Sequence, residues 1–225
     1  MKPKHLKAPF TWEERRPVLT DQVLYVPHHY QDHTAWTMPA WEDPAVFGKQ
    51  GRVCIEYCSG NGNWVVEKAK DNPDTCWIAV EKRFDRVRKI WSKRENLKVK
   101  NLLIVCGEAV AFTKHYIPTQ SIDEAYLNFP DPWPKPKHTK HRLVRQPFVT
   151  EIARVVKKGG VATFVSDDLP NCERMLEEMV KSTLWKAEFP FPHYVTDWPN
   201  YGYSFFDELW RAKGKTIQYL KFVNE

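Results

Sequence analysis

The 225-residue chain has no apolar run of about 20 residues, the length a helix needs to cross a bilayer. It shows no charged stretch leading into an apolar segment and a small-residue cleavage site, the pattern of a secretory leader. Both absences argue against a membrane or secreted protein and make cytoplasmic the expectation. Cysteine is scarce and odd in number, at Cys54, Cys58, Cys76, Cys106 and Cys172. No pair has ligand-like spacing with histidine, so a zinc site is set aside and no metal is expected. These cysteines lie mostly inside apolar runs, which suits reduced thiols used as small buried hydrophobes. Internal repeats and long low-complexity segments are also missing. What is plentiful is aromatic: ten Trp, nine Tyr and twelve Phe, most of them for a core and some left for stacking on bases. The formal charge of +6 favours an acidic partner such as nucleic acid. The length fits one substantial α/β domain better than two small ones.

Residues 1–50 are rich in Pro, His, Trp and charge without a sustained period. They are expected to form a partly disordered basic, Pro-rich extension, with a nucleic-acid-binding arm around Lys2, Lys4 and Lys7 as the alternative. Residues 51–225 read as one domain in which strands and helices alternate. Strands are expected at 52–57, 75–80, 101–106, 122–129, 161–165, 184–189 and 216–222. Helices are expected at 64–69, 84–93, 109–115, 143–156 and 172–181, the fourth stopped by Gly159-Gly160. Such alternation implies an α/β fold, a largely parallel sheet with helices on both faces. Ligands of such sheets bind at the carboxyl ends of strands.

The run Asn128-Phe129-Pro130-Asp131-Pro132-Trp133-Pro134-Lys135-Pro136-Lys137-His138-Thr139-Lys140-His141-Arg142 lies at such an end. Proline fixes its own φ and keeps the preceding residue out of the helical region. Asp131 is therefore held on a stiff, extended turn beside a basic patch. A solvated Pro-rich loop is the plain alternative; an acid of an active site beside an anionic polymer is the functional one.

A second constellation favours the functional reading. Glu56-Tyr57-Cys58-Ser59-Gly60-Asn61-Gly62 ends the first strand, and its glycines let the backbone turn sharply and approach a ligand. Glu81 ends the second strand, placed for a ribose diol. Glu108-Ala109 follows the third, where an acid and a backbone amide can meet an adenine edge. A dinucleotide site usually shows G-x-G-x-x-G, but here Cys58 takes the first position. The acid at Glu56 also suits a doubly anionic pyrophosphate poorly. It suits a cationic sulfonium with an amino-acid tail, which is S-adenosyl-L-methionine.

On these residues the chain resembles the TrmB family of tRNA (guanine-N7-)-methyltransferases, over about residues 52–222. The resemblance implies a three-layer, Rossmann-like class I methyltransferase with a seven-stranded, mostly parallel sheet whose last strand is antiparallel. It implies methyl transfer from S-adenosyl-L-methionine to N7 of guanosine 46 in the tRNA variable loop, without a partner subunit. Glu56, Gly60, Gly62, Glu81, Glu108, Ala109 and Asn128 would hold the donor, and Asp131 would sit between donor and guanine as the catalytic acid residue. Lys135, Asp167, Ser204 and Asp207 match substrate-side positions, and Gly214 follows in register. The chain departs from the family pattern at Cys58, Glu108, His141 and the Ser204/Asp207 pair, each of which keeps its polarity or charge tendency.

Guanine N7 carries an in-plane lone pair, so no proton has to be removed before attack, and the product base is cationic. A fixed carboxylate at Asp131 would stabilise that growing charge. Lys137, His138, Lys140, His141, Arg142 and Arg145 are expected to contact RNA phosphates and offset the cost of extracting a paired base. Trp133 reads as a lid packed on the turn, Asp168 as a helix N-cap, and Tyr201-Gly202-Tyr203 as a turn. The rival readings are another S-adenosylmethionine-dependent RNA or DNA base methyltransferase, a non-catalytic RNA-binding protein on the same fold, and a nicotinamide oxidoreductase.

Overall fold

The structure is a computed structural model, and it describes residues 1–10, 15–27, 30–202 and 204–225. Tyr203, with residues 11–14 and 28–29 of the expected extension, lies outside the described residues. The chain divides into two units, Met1–Ile117 and Pro118–Glu225.

In the first unit the strands run in the order β1 (Val18–Thr20), β2 (Val23–Tyr25), β5 (Leu102–Cys106), β4 (Cys76–Glu81), β3 (Val53–Tyr57). The last three are parallel to one another. Every residue of β3 and β4 is buried, which explains their continuous apolar character; parallel strands are covered on both faces and show no alternation. Helices α1 (Asn63–Asp71), α2 (Phe84–Asn96) and α3 (Ala109–Tyr116) each follow a strand. In α2, Val87, Ile90 and Trp91 are buried at the spacing expected of one helix face.

Part of the segment set apart as an extension is built into this sheet. β1 and β2 form an antiparallel hairpin, and β2 runs parallel to β5. Asp21 and Gln22 join the two strands with φ of 49° and 52°, the left-handed pair of a type I′ turn, whose twist matches that of the strands. Arg94 of α2, only 3% exposed, holds the turn by donating to the carbonyls of Asp21 (2.7 Å) and Gln22 (3.1 Å). A short 3-10 helix, Pro3–His5, packs near α2, where Arg88 donates to the carbonyl of Leu6 at 3.0 Å.

In the second unit the order is β6 (Ile122–Asn128), β7 (Val156–Ser166), β9 (Gln218–Asn224), β8 (Trp185–Ala187). β6 and β7 are parallel, while β9 is antiparallel to both its neighbours. Helices α4 (Gln146–Val155), α5 (Leu169–Val180) and α6 (Phe205–Ala212) complete it. The seven expected strands are β3 to β9, with the last one antiparallel. The count itself is corrected to nine among the described residues by the hairpin.

A further correction concerns Gly159-Gly160. They do not stop α4, which ends at Val155; they lie inside β7, which begins at Val156. Gly159 takes a φ of 74°, and the register of β6 on β7 shifts between Ile122 and Glu124. A Cβ on Gly160 would come within 2.8 Å of the carbonyl oxygens of Asp123 and Lys157. The glycine is thus required by close approach of backbone, as at a bulge. Gly160→Ala is expected to cost about 1–3 kcal/mol, seen as a Tm lowered by several degrees in thermal unfolding; an unchanged Tm would refute this packing account.

Candidate methyl-donor and base-binding sites

The loop after β3 contains three left-handed residues, Cys58 (φ 57°), Gly60 (φ 56°) and Gly62 (φ 74°). Only glycine adopts such backbone freely, so Cys58 is a strained position that its surroundings must hold. They do so from two elements. The Ser59 amide donates to the Val80 carbonyl at 3.0 Å, and Lys93 of α2 donates to the Asn61 carbonyl at 2.8 Å. Gly62, the N-cap of α1, has a second reason to be glycine: a Cβ there would lie 2.7 Å from Cγ1 of Ile90.

Glu81, 4% exposed, closes the arrangement. Its Oε2 accepts from the Gly60 amide at 3.0 Å and its Oε1 from the Arg83 amide at 2.9 Å, with Arg86 3.7 Å away. Its charge, after burial, also pushes the Cys106 thiol up to about 12, so that thiol is protonated and inert. No disulfide joins the five cysteines; Cys54, Cys76 and Cys172 are buried as expected, whereas Cys58 is exposed. Glu56 is buried within β3, and Ser59 Oγ donates to its carbonyl at 2.9 Å. Glu108 is exposed at the N-cap of α3 and makes no side-chain cap. The amide of Ala109 is one of the first-turn donors that a helix cannot satisfy internally.

The order β5-β4-β3 therefore sets Glu108, Glu81 and the Cys58–Gly62 loop at the carboxyl ends of three neighbouring strands. A donor set of three acids, a tight glycine turn and an open amide fits a cationic sulfonium nucleoside. It does not fit a pyrophosphate.

The remaining expected site residues, Asn128 of the donor set and those expected on the base side, belong to the second unit. Asn128 ends β6 and is buried; its Oδ1 accepts from the Tyr201 hydroxyl at 2.6 Å. Tyr201 stands in turn against Trp198 and Tyr219, with ring centroids 5.3 and 5.1 Å away. Sequence reading placed Tyr201 only in a turn; its role emerges when the chain folds back onto β6. Beyond Asn128, Phe129 (φ 52°) and Trp133 (φ 43°) are left-handed and bracket Asp131, which is exposed. Trp133 packs against the rings of His138 and His141, 5.3 and 5.1 Å away, as the lid reading expects.

Lys135 precedes the 3-10 helix Pro136–His141. Lys135, Lys137, Lys140, His141 and Arg145 are exposed, and His138 is half-buried. Arg142 behaves differently, since its guanidinium donates to the Trp133 carbonyl at 3.1 and 2.8 Å. Asp131, Arg142 and Arg145 line one cavity of about 460 Å³ with Asn171 and Arg174.

Asp167 follows β7 and is half-buried, and burial pushes its carboxyl above the ordinary value while Lys215 pulls it back. Asp168 caps α5 by accepting from the Asn171 amide at 2.8 Å. Ser204 caps α6, its Oγ accepting from the Asp207 amide at 3.1 Å. Asp207 is 1% exposed. Its Oδ1 accepts from Arg211 Nε at 2.6 Å and its Oδ2 from the Tyr219 hydroxyl at 3.2 Å. Burial and the charge of Asp207 push Tyr219 up to about 12, so it remains a donor. Oδ2 of Asp207 thus ties α6 to β9, while Oδ1 bonds within α6 to Arg211, whose Nη2 also donates to the Tyr219 hydroxyl at 2.8 Å.

Among the described residues, no group of His, Cys, Asp and Glu is arranged to hold a metal ion, and no helix is long and apolar enough to cross a membrane.

Comparison with known proteins defines the class first. A family described as putative methyltransferase matches residues 50–217. The fold is similar to that of the 16S rRNA methyltransferase KamB, at 13% identity over 80% of this chain and 91% of that one, with a TM-score of 0.60. At that identity the likeness concerns the fold, which is that of class I S-adenosylmethionine-dependent methyltransferases. The chain is 47% identical over 225 residues to the tRNA (guanine-N(7)-)-methyltransferase of Chlamydia caviae and 48% identical to that of Chlamydia abortus, covering 100% of this chain and 99% of each relative. The chain belongs to the TrmB family of tRNA (guanine-N7-)-methyltransferases.

Glu81→Ala removes the acceptor of two backbone amides, and each buried donor left unmade costs about 1–3 kcal/mol. The variant is expected to lose donor affinity at least about tenfold, an amount equal to about 1.4 kcal/mol, and to melt earlier. Titration calorimetry with S-adenosyl-L-homocysteine checks this; unchanged affinity would separate Glu81 from the donor site.

Proposed function

We propose that this chain is an S-adenosyl-L-methionine-dependent tRNA (guanine-N7-)-methyltransferase that modifies guanosine 46 of the variable loop. The observation that carries the reading is the full-length likeness to enzymes of that name, joined to the acid-rich donor set of the first unit. Residues 51–225 carry the catalytic machinery, and the first fifty add the hairpin. The enzyme acts in the cytoplasm without a partner subunit.

The bound donor supplies an electrophilic methyl group. The chain supplies orientation and charge. Glu56, Gly60, Gly62, Glu81, Glu108 and Ala109 hold the donor, with Glu81 also keeping the glycine loop in shape. Asn128 and Asp131 serve from the end of β6. Asp131 accepts from the N1 and N2 donors of guanine and stabilises the cation that forms at the base. It takes no proton, because N7 already presents a lone pair. Alignment of that lone pair with the methyl group is the larger effect, through proximity.

Lys135 and Asp167 hold the base, while Ser204 and Asp207 act from behind by fixing α6 beside it. Burial raises the Asp167 carboxyl, so base binding is lost on acidification at a pH above the ordinary aspartate range. Lys137, His138, Lys140, His141, Arg142 and Arg145 contact RNA phosphates.

The test is methylation of unmodified tRNA with labelled donor, followed by borohydride-aniline cleavage, which breaks the strand at N7-methylguanosine. Cleavage at position 46 is expected with the wild type. Asp131→Ala should reduce kcat by about a hundredfold or more and leave donor binding intact. Label at an exocyclic amine, with no cleavage, would overturn the reading.

The basic run has its own check. The Lys137/Lys140 double alanine variant should bind tRNA more weakly and donor equally well. Its salt slope should fall by about 0.7–0.9 for each phosphate that a lysine no longer neutralises. An RNA affinity equal to that of the wild type would remove these lysines from the interface.

A further inference from the structure

The carbonyls that follow Asp131 are held by arginines from two different elements. Arg174 of α5 donates from Nη2 to the Pro132 carbonyl at 3.0 Å and to Asn171 Oδ1 at 2.7 Å. Arg142, just past the 3-10 helix, takes the next carbonyl, that of Trp133. Both line the cavity that Asp131 lines, and Arg145 lines it too.

The charges in this cavity are incompletely matched. Among the described residues neither Arg142 nor Arg174 forms an ion pair with a carboxylate. Burial first, and then the charge of Arg142, make Arg174 harder to keep protonated; Asp168 and Glu177 act in the opposite sense from further off. Of those two, Asp168 is already engaged in capping α5, and Glu177 is exposed on the rim. Glu178 also lines the cavity, but Lys181 and Gln146 engage it. The Nε of Arg174 is buried and has no acceptor, an omission that costs about 1–3 kcal/mol when nothing fills it.

We infer that Arg142 and Arg174 form a clamp for one phosphate of the RNA backbone, and that this phosphate steadies the turn carrying Asp131. The inference rests on the role proposed above for that turn. Guanidinium is suited to the task, because its planar fork of five donors can serve a carbonyl and a phosphate oxygen at once. Arg174 has Nη1 to spare, and so has Arg142. A phosphate touching both would remove their mutual repulsion, so RNA arrival and the setting of the turn become one event. Arg174 lies outside the basic run, 32 residues beyond Arg142, and nothing in its sequence context marks it.

The experiment measures tRNA affinity across a salt series, Tm and single-turnover methylation for the wild type, Arg174→Met and Arg174→Lys. Arg174→Met should reduce the salt slope by about 0.7–0.9 and slow methylation. Arg174→Lys should restore the slope, since it keeps the charge, but not the rate, since an ammonium lacks the fork. A wild-type slope in Arg174→Met, even with a lowered Tm, would make Arg174 a structural brace and overturn the clamp. Failure of Arg174→Lys to recover the slope would overturn it equally. If the wild type itself fails to methylate N7 of guanosine, the proposed function fails; if it succeeds and the slope is unmoved, only the clamp does.

Discussion

The carboxylate of Glu81 holds the loop after β3 in shape, and the proposed donor site depends on that loop. A buried charge is tolerated only when it is paired or hydrogen-bonded, and Glu81 meets that condition by drawing in two backbone amides, Gly60 and Arg83. One of those amides lies in the loop after β3 and the other opens the way into α2. The same carboxylate therefore ties the end of β4 and the start of α2 to the loop between β3 and α1. Without it, the left-handed backbone at Cys58, Gly60 and Gly62 would rest on the Ser59–Val80 and Lys93–Asn61 bonds. The residue that would meet the donor's ribose is thus also the residue that shapes the donor's loop.

The second unit solves a similar problem with the signs reversed. Its catalytic candidate, Asp131, is exposed and sits on a turn with left-handed residues on both sides. Here cations grip carbonyls: Arg142 on Trp133 and Arg174 on Pro132. Between α6 and β9, Asp207, Arg211 and Tyr219 form a closed set of hydrogen bonds. The carboxylate at its centre is buried while Arg211 reaches solvent, and a hydrogen-bonded set of this kind favours one arrangement over its neighbours. Strained backbone persists only where its surroundings over-determine it, and each unit provides such surroundings around its own site.

Much of this was legible in the chain. The buried parallel strands announce themselves as unbroken apolar runs, and the acids at their ends follow from where each run stops. The stiffness of the Pro-Asp-Pro-Trp turn follows from proline geometry, whereas the left-handed backbone at Phe129 and Trp133 does not. The hairpin was not legible: β1 and β2 are three residues each, too short for a period. Their turn uses Asp21-Gln22 without a glycine, and the residue that holds it, Arg94, is more than seventy residues away. Gly159-Gly160 misled because a helix C-cap and a bulge both require glycine, and only the approach of Asp123 separates the two.

By itself the sequence determined the alternation of β3 to β9 with α1 to α5, the acids at the strand ends, the stiffness around Asp131 and the family to which the chain belongs. These are local matters, settled by periodicity, by proline and glycine backbone limits and by motif. The tertiary structure alone decided which polar groups are spent inside the fold and which stay available. Ser204 is used as a cap, Asp207 is enclosed by Arg211 and Tyr219, and Tyr201 is bound to Asn128. Arg174 joins Arg142 at the turn. Apart from the cap and the Asp207–Arg211 pair, which lie one helical turn apart in sequence, these pairings are set by packing between elements, and hydrogen-bond partners brought together that way leave no trace in sequence spacing.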